Sequence, residues 1–386
     1  MGRLRIAHLR LMIPFVVIAW RATQPIGDNS FLWHVRAGTA QLDSGMVATT
    51  DPFSFTAAGE PWRTQSWLAE LGYGWLERLS DGLGWVPMMK FLMISAVVAL
   101  LGLVIHRVVG DRPVVVLGGM LVILWQGIPF GVARPALLGA TLLALVVAFT
   151  HMNRRPLWLL PPLFWLWASI HGTFVIGLGY LFLDALRRRS QRQVGAVVAA
   201  GLATALTAHG LGVWWILLQF GRSRGALDLI SEWDAPDFTN PFALPFLLII
   251  VGLIVAGSLG KLGPQQLWVA VPFLVFGLLA ERNVWPAVIV LAPVAILAFT
   301  QDSARPRRQS DESAVINWAI AFGLVVVAVL GLARPAEISS ERFPTSAAVD
   351  TLDDGRVFAG SAVGGYLVYA EWPDRRVFID DRAELY

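Results

Sequence analysis

The residues able to do chemistry in this 386-residue chain are few and far apart. Asp28 stands in Gly27-Asp28-Asn29-Ser30, directly after an apolar stretch. A carboxylate at that depth can act as a general base on an acceptor hydroxyl or help to hold a divalent metal. It is equally suited to cap a helix expected over Phe31–Leu42. Asp51 is a second acidic candidate, although Asp51-Pro52 also reads as an ordinary turn opening. Trp33-His34 can stack on a sugar and donate to a lipid phosphate, or anchor that helix at a membrane interface. Arg134, in Val132-Ala133-Arg134-Pro135, can grip a phosphate bidentately or snorkel to lipid headgroups. Arg282 follows an apolar run and can pair with its neighbour Glu281, while Glu232 opens the acidic run Glu232-Trp233-Asp234. The tail adds Asp380-Asp381-Arg382, readable as a binding loop or as a salt-bridged turn. Charges at a membrane boundary are costly to place, which favours a functional role for them.

Several chemistries are excluded. The chain has no cysteine, so disulfides, thiolate metal sites and a cysteine nucleophile are absent. It has no G-x-x-x-x-G-K-[ST] loop of the kind ATP-driven pumps carry. Its 6 scattered histidines do not have metalloprotease spacing and do not point to a dedicated zinc site. The formal charge of +3 is spread as arginines between apolar runs, a topology signal rather than a nucleic-acid patch.

The elements that must position these residues are membrane helices. Hydrophobic residues make up 56% and charged residues 15%, against roughly 25% charge in globular chains. Apolar runs lie near 9–25, 86–106, 113–133, 135–150, 156–170, 173–186, 193–209, 241–260, 264–281, 284–300 and 315–334. They predict an all-α polytopic protein with about 11 transmembrane helices. Arg3, Arg5 and Arg10 precede the first run, and Trp20-Arg21 interrupts any signal-peptide cleavage site, so that run reads as an uncleaved helix. With the N-terminus in the cytoplasm, the short inner connections carry Arg107 and Arg112, Arg154 and Arg155, Arg187 to Arg189 with Arg192, Lys261, and Arg305, Arg307 and Arg308. Every one is basic, as the positive-inside rule expects.

The span Pro156–Leu186 is about 30 residues, or roughly 45 Å as one helix, too long for one ordinary crossing. Two short helices meeting near Ile170-His171-Gly172-Thr173 fit better, which makes His171 a candidate groove residue. Residues 1–334 form the transmembrane domain on this reading, with 25–85 as a structured first outer loop. In that loop Trp67, Leu71, Trp75 and Leu79 recur every four residues, the stripe of an amphipathic interfacial helix. Residues 335–386 read as a short extracytoplasmic α/β segment, with strands at Arg356–Ala359 and Arg376–Asp380 around a helix near Tyr366–Tyr369.

Taken together, these residues resemble a known family. Asp28, Leu32-Trp33-His34, Gly38, Asp51-Pro52-Phe53-Ser54-Phe55-Thr56, Gly59, Pro61-Trp62 and Ser66-Trp67-Leu68-Ala69-Glu70 resemble the first outer loop of a bacterial membrane-protein family. That family is grouped with the GT-C glycosyltransferases, alongside dolichyl-phosphate-mannose–protein mannosyltransferase-like enzymes. The likeness recurs at Ala133-Arg134-Pro135, Trp167 with His171-Gly172, Gly177 and Ser231-Glu232-Trp233. It ends at Gly364-Gly365-Tyr366-Leu367 and Val377-Phe378-Ile379-Asp380-Asp381-Arg382.

The resemblance implies a GT-C-like transferase that takes a sugar from a polyprenyl-phosphate donor outside the cytoplasmic membrane. By the same likeness Asp28 is the catalytic carboxylate, Asp51 a second acidic candidate, and Arg134 and Arg282 neutralise the leaving phosphate. Trp33, His34, His171 and Glu232 complete the expected substrate-binding set. Membrane lipids are the other expected partner, and no nucleic acid is. The chain departs from the family in two ways. The GT-C signature of adjacent acidic residues is missing, since Asn29 follows Asp28, so metal dependence stays open. Relatives of this kind also continue beyond the equivalent of Tyr386 into a larger outer domain, so a shortened form is expected. A lipid or solute transporter and a non-catalytic scaffold are the alternative readings.

Overall fold

The computed structural model describes residues 6–153, 155–222, 231–300, 314–351, 355–382 and 385. Arg3, Arg5, Arg154, Arg305, Arg307, Arg308 and Tyr386 lie outside the described residues. The described chain is all-α, without a named strand. After a short α1 (Ile6–Arg10) come α2 (Ile13–Ala22), α3 (Asn29–Ser44) and α4 (Trp67–Ser80). The central bundle follows as α5 (Val86–Val109), α6 (Pro113–Gly127), α7 (Pro135–Thr150), α8 (Leu160–Ile170), α9 (Phe174–Arg187) and α10 (Gln191–Ala203). Then come α11 (Gly212–Arg222), α12 (Leu244–Ser258), α13 (Pro264–Leu279), α14 (Val284–Thr300) and α15 (Ala314–Leu332). The tail holds α16 (Ser346–Val349) and α17 (Ser361–Glu371).

Among the described residues, three segments are long and apolar enough to cross a membrane: Val86–Val109, Pro241–Ser258 and Glu281–Thr300. Six shorter apolar helices, among them Ile13–Ala22, Pro135–Thr150 and Ile316–Leu332, accompany them. Their outward faces carry large apolar side chains such as Ile254, Leu279, Phe322 and Leu330. A water-soluble monomer does not tolerate so large an apolar surface, whereas lipid covers it at no cost. The chain is therefore a membrane protein. The expected count of about eleven crossings is larger than the number of helices that are long enough on their own.

The bundle has two distinct ends. Arg107 Nη1 donates to the His151 carbonyl at 3.5 Å, Arg112 Nη1 to the Thr300 carbonyl at 2.9 Å and Arg188 Nη2 to the Thr150 carbonyl at 3.3 Å. The C-terminal ends of α5, α7, α9 and α14 thus meet at one basic end. Asp184 is fully buried there, and its carboxylate accepts from Arg155, Arg187, Arg188 and Gln193. The opposite end, where α5 and α7 begin, carries the first loop and the tail. These two segments share a core of their own, with Phe31, Phe53, Trp62, Tyr73, Tyr366 and Val377 inside it.

Within that cap, α3 and α4 run against each other at Gly38 and Gly74. A Cβ on Gly38 would lie 1.7 Å from the Glu70 carbonyl oxygen, so the backbones meet where only glycine fits. Of the expected α4 stripe, Trp75 and Leu79 are exposed and Trp67 and Leu71 half-buried, while Ala69, Glu70 and Tyr73 on the same helix are buried. The break in the Pro156–Leu186 span falls where its length demands, between α8 and α9, with His171 extended at φ −163°.

The α/β reading of the tail is corrected. The expected helix is α17, but neither expected strand forms. Val377 makes a single parallel bridge with Ser54, and Ile338 one with Ile26. Of the two expected strands, Arg376–Asp380 pairs with the first loop over one step and Arg356–Ala359 makes no bridge, so no ladder builds.

Candidate functional site

The site is built at the start of α3. Asp28 is extended and caps that helix, accepting from the Phe31 amide at 2.8 Å. It is 8% exposed. Both its oxygens also accept from Arg134 Nε, at 3.0 and 2.8 Å. Capping and charge pairing are therefore combined in one carboxylate. Arg134 is aimed by its own sequence context. A residue before proline is extended and a proline suits the first helical position, so Arg134-Pro135 opens α7 with the side chain free to turn toward α3. Tyr73 donates to the Ala133 carbonyl at 2.9 Å and fixes the preceding turn.

Arg134 Nη1 donates to Glu232 Oε1 at 2.9 Å. Glu232 belongs to the short turn Ser231–Trp233, and the next residue, Trp233, lies under Arg282 with 4.3 Å from guanidinium carbon to ring centre. The Glu281 amide donates to the Asp234 carbonyl at 2.8 Å, which ties that turn to the loop carrying Arg282. Burial opposes the Arg134 charge, but Asp28 and Glu232 outweigh it and raise its pKa above the ordinary arginine value. His171 is held by Thr173, whose amide donates to Nδ1 at 3.3 Å. Burial, reinforced by the charges of Arg282, His34 and Arg134, pushes the His171 imidazole well below its ordinary range. It stays neutral at physiological pH.

A residue from the tail completes the cluster. Asp381 accepts from Trp33 Nε1 at 2.6 Å and from the Ser30 hydroxyl. Burial pushes its carboxyl above the usual carboxylate range, against the Ser30 hydrogen bond and the Arg134 charge. His34 packs at a tilt against Trp33 with ring centres 3.7 Å apart, and its Nδ1 donates to Glu70 Oε1 at 2.8 Å. Glu70 is fully buried and also accepts from Gln41 Nε2 at 2.7 Å and from the Thr64 hydroxyl.

Asp28, Trp33, His34, Arg134, His171, Glu232 and Arg282 thus share one region. Asp51 does not share their contacts. Its carboxylate organises a turn, accepting from the Phe53 and Ser54 amides at 3.0 and 3.1 Å, and pairs with Arg382 Nη1 at 2.7 Å. Asp380 grips the same arginine, whereas Asp381 faces Asp28 and Arg134. Sequence reading marked the run Asp380-Asp381-Arg382 without separating these roles. It passed over Lys90 altogether, one turn into α5, buried and within electrostatic reach of Asp28 and Arg21.

Among the described residues, no three His, Asp or Glu side chains come together as a metal site. A divalent cation at Asp28 would have to displace Arg134 from both oxygens, so the donor set does not fit one. No family model matches the chain, and no curated protein matches it either.

Proposed function

We propose that this protein is a membrane glycosyltransferase that moves a sugar from a polyprenyl-phosphate donor to an acceptor at the outer face of the cytoplasmic membrane. The observation that carries the reading is the meeting of Asp28, Arg134 and Arg282, from three distant segments, at one end of an apolar bundle. A lipid-borne sugar presents its phosphate at that depth, and the transfer needs a base for the acceptor and cations for the departing phosphate.

On this reading the chain crosses the bilayer about eleven times, the shorter helices supplementing the three long ones. The basic end of the bundle faces the cytoplasm, as the positive-inside rule requires. The acceptor hydroxyl gives its proton to Asp28, and its oxygen bonds the anomeric carbon of the sugar. The bond from that carbon to the phosphate oxygen breaks, and its electron pair leaves on the phosphate. Arg134 holds Asp28 through both oxygens and so fixes the direction of its lone pairs. Neutral His171 offers a ring nitrogen to a hydroxyl, while Trp33, buried beneath His34, supports that ring and does not present an open face to a sugar.

The test is transfer from radiolabelled polyprenyl-phosphate sugars in membranes containing wild-type protein or Asp28→Asn. Removing a general base costs about 100- to 10,000-fold in rate. Equal transfer by both proteins at equal expression would end the assignment of Asp28, and no transfer across a donor panel would end the transferase reading.

A further inference from the structure

Glu70 is fully buried in the cap, and its partners there are unequal. Its Oε1 accepts from His34 Nδ1 at 2.8 Å and from the Thr64 hydroxyl, and its Oε2 from Gln41 Nε2 at 2.7 Å. Both oxygens accept, so the group is a carboxylate. A buried carboxylate is costly without a counter-charge. Thr64 and Gln41 are neutral, and of these three donors only His34 can carry one.

The two nitrogens of His34 stand in different surroundings. Nδ1 is committed to Glu70, and the ring lies at a tilt on the buried Trp33. Trp33 is fixed in turn by Asp381, which accepts from its Nε1 at 2.6 Å. The His34 side chain is 12% exposed, and its Nε2 is open, with no hydrogen bond to any described residue. One ring nitrogen held by a buried carboxylate and the other left open is the arrangement of a histidine that transfers protons. His34 also stands near the cations of the site, since its charge acts on His171 together with those of Arg134 and Arg282.

We propose that His34, held as an imidazolium by Glu70, is the proton donor to the departing phosphate, with Glu70 as its positioning residue. The identity of the phosphate rests on the transferase reading, while the His34–Glu70 ion pair does not. As the bond from the anomeric carbon breaks, its electron pair stays on the phosphate oxygen, and that oxygen takes the proton from His34 Nε2. The ring is left neutral, with its Nδ1 proton still on Glu70. Asp28 meanwhile holds the proton of the acceptor hydroxyl. Solvent then removes that proton and returns one to His34, so the two groups start the next cycle as they began.

The charged and titratable groups that face His34 are Glu70 of α4, His171 between α8 and α9 and, across Trp33, Asp381 and Arg382 of the tail. His209 stops at the Thr64 carbonyl, 2.6 Å from its Nε2. Glu70 alone among them bonds the ring directly.

The test is the pH profile of sugar transfer in membranes containing wild-type protein, His34→Gln or Glu70→Gln. Alongside it, carbethoxylation of His34 by diethylpyrocarbonate is read on peptides of the full-length protein in detergent. Wild-type transfer is expected to fall at alkaline pH as the ring loses its proton. His34→Gln should lower the rate by about 100-fold or more and remove that alkaline limb. Glu70→Gln should move the limb to lower pH, because a ring without its carboxylate holds the proton less tightly. Diethylpyrocarbonate attacks the unprotonated ring, so labelling of His34 should begin at lower pH in Glu70→Gln than in wild type, whether or not sugar is transferred. An equal pH course of labelling in the two proteins would overturn the ion pair. Unchanged transfer in His34→Gln, or loss of an acidic limb in place of the alkaline one, would overturn the acid role. No transfer by wild type across the donor panel, with the labelling shift present, would end the transferase reading and the acid role with it, and keep the ion pair.

Discussion

Arg382 carries a charge with no access to water and two carboxylates to share it. It is 1% exposed, Asp51 lies 2.7 Å from Nη1, Asp380 takes Nε and Nη2, and the ring of Trp62 lies 4.6 Å away. Removing one member of such a set leaves buried charge without compensation. Arg382→Ala should therefore lower stability by about 3–5 kcal/mol, seen as a lower melting midpoint in detergent. Lysine cannot bridge two carboxylates as a planar fork does, so Arg382→Lys should recover only part of the loss. Asp381, next in the chain, behaves in the opposite sense. Its folded pKa is raised by burial above the ordinary carboxylate value of 3.8, so the folded state binds the proton more tightly than the unfolded chain. Its contribution to stability is full below that ordinary value and is lost as pH rises through the raised one. Across that window the melting midpoint of wild type should fall relative to that of Asp381→Asn, the difference between the two slopes being the Asp381 contribution. An unchanged slope would mean that Asp381 ionises as it does in the unfolded chain. The sequence made the cap at Asp28 legible, because an aspartate before an apolar helical run is a local signal. It could not distinguish Asp380 from Asp381, since the two differ only in which way an extended chain turns them.

Two helices in the cap approach as closely as backbones can, and this fixes the site from below. Gly38 and Gly74 face each other where α3 crosses α4, and α4 supplies the buried Glu70 that holds His34. Any side chain at Gly38 must push the helices apart. Gly38→Val should cost about 1–3 kcal/mol by overpacking. It should also weaken donor binding, because His34 loses its orientation on Trp33. A stable Gly38→Val protein with wild-type melting would show that the crossing can relax. At this scale the sequence was readable wherever one element carries its own signal. The helices Asn29–Ser44 and Trp67–Ser80 follow from their caps and spacing, and the break at His171 follows from the length of Pro156–Leu186. Strands were not readable in the tail. The apolar run Val377-Phe378-Ile379 has strand composition, but its partner is Ser54, more than 300 residues earlier, and the pairing stops at one bridge. Composition states a preference for extended backbone and says nothing about whether a neighbour is available.

For the whole molecule the decisive quantity is which end of the bundle faces the cytoplasm. The basic end, with Arg107, Arg112, Arg187 and Arg188, and the end that holds Asp28 lie at opposite ends of α5 and α7. Twenty-four residues of α5 separate them by roughly 36 Å, about one bilayer. Orientation therefore decides whether the site meets cytoplasmic or external substrates. The chain has no cysteine, so a single introduced thiol reports its own location without background. Ser44 is exposed at the end of α3, on the side of the candidate site, and Asn153 is exposed just past α7, at the basic end. Ser44→Cys should react with a membrane-impermeant maleimide in intact cells, and Asn153→Cys only after the membrane is opened. That pattern would put Asp28 and Asp381 where lipid-linked sugars are presented after flipping to the outer leaflet. The reverse pattern would turn the site toward the cytoplasm. Soluble nucleotide sugars are available there as donors, so the choice of a lipid-linked donor would lose its physical reason.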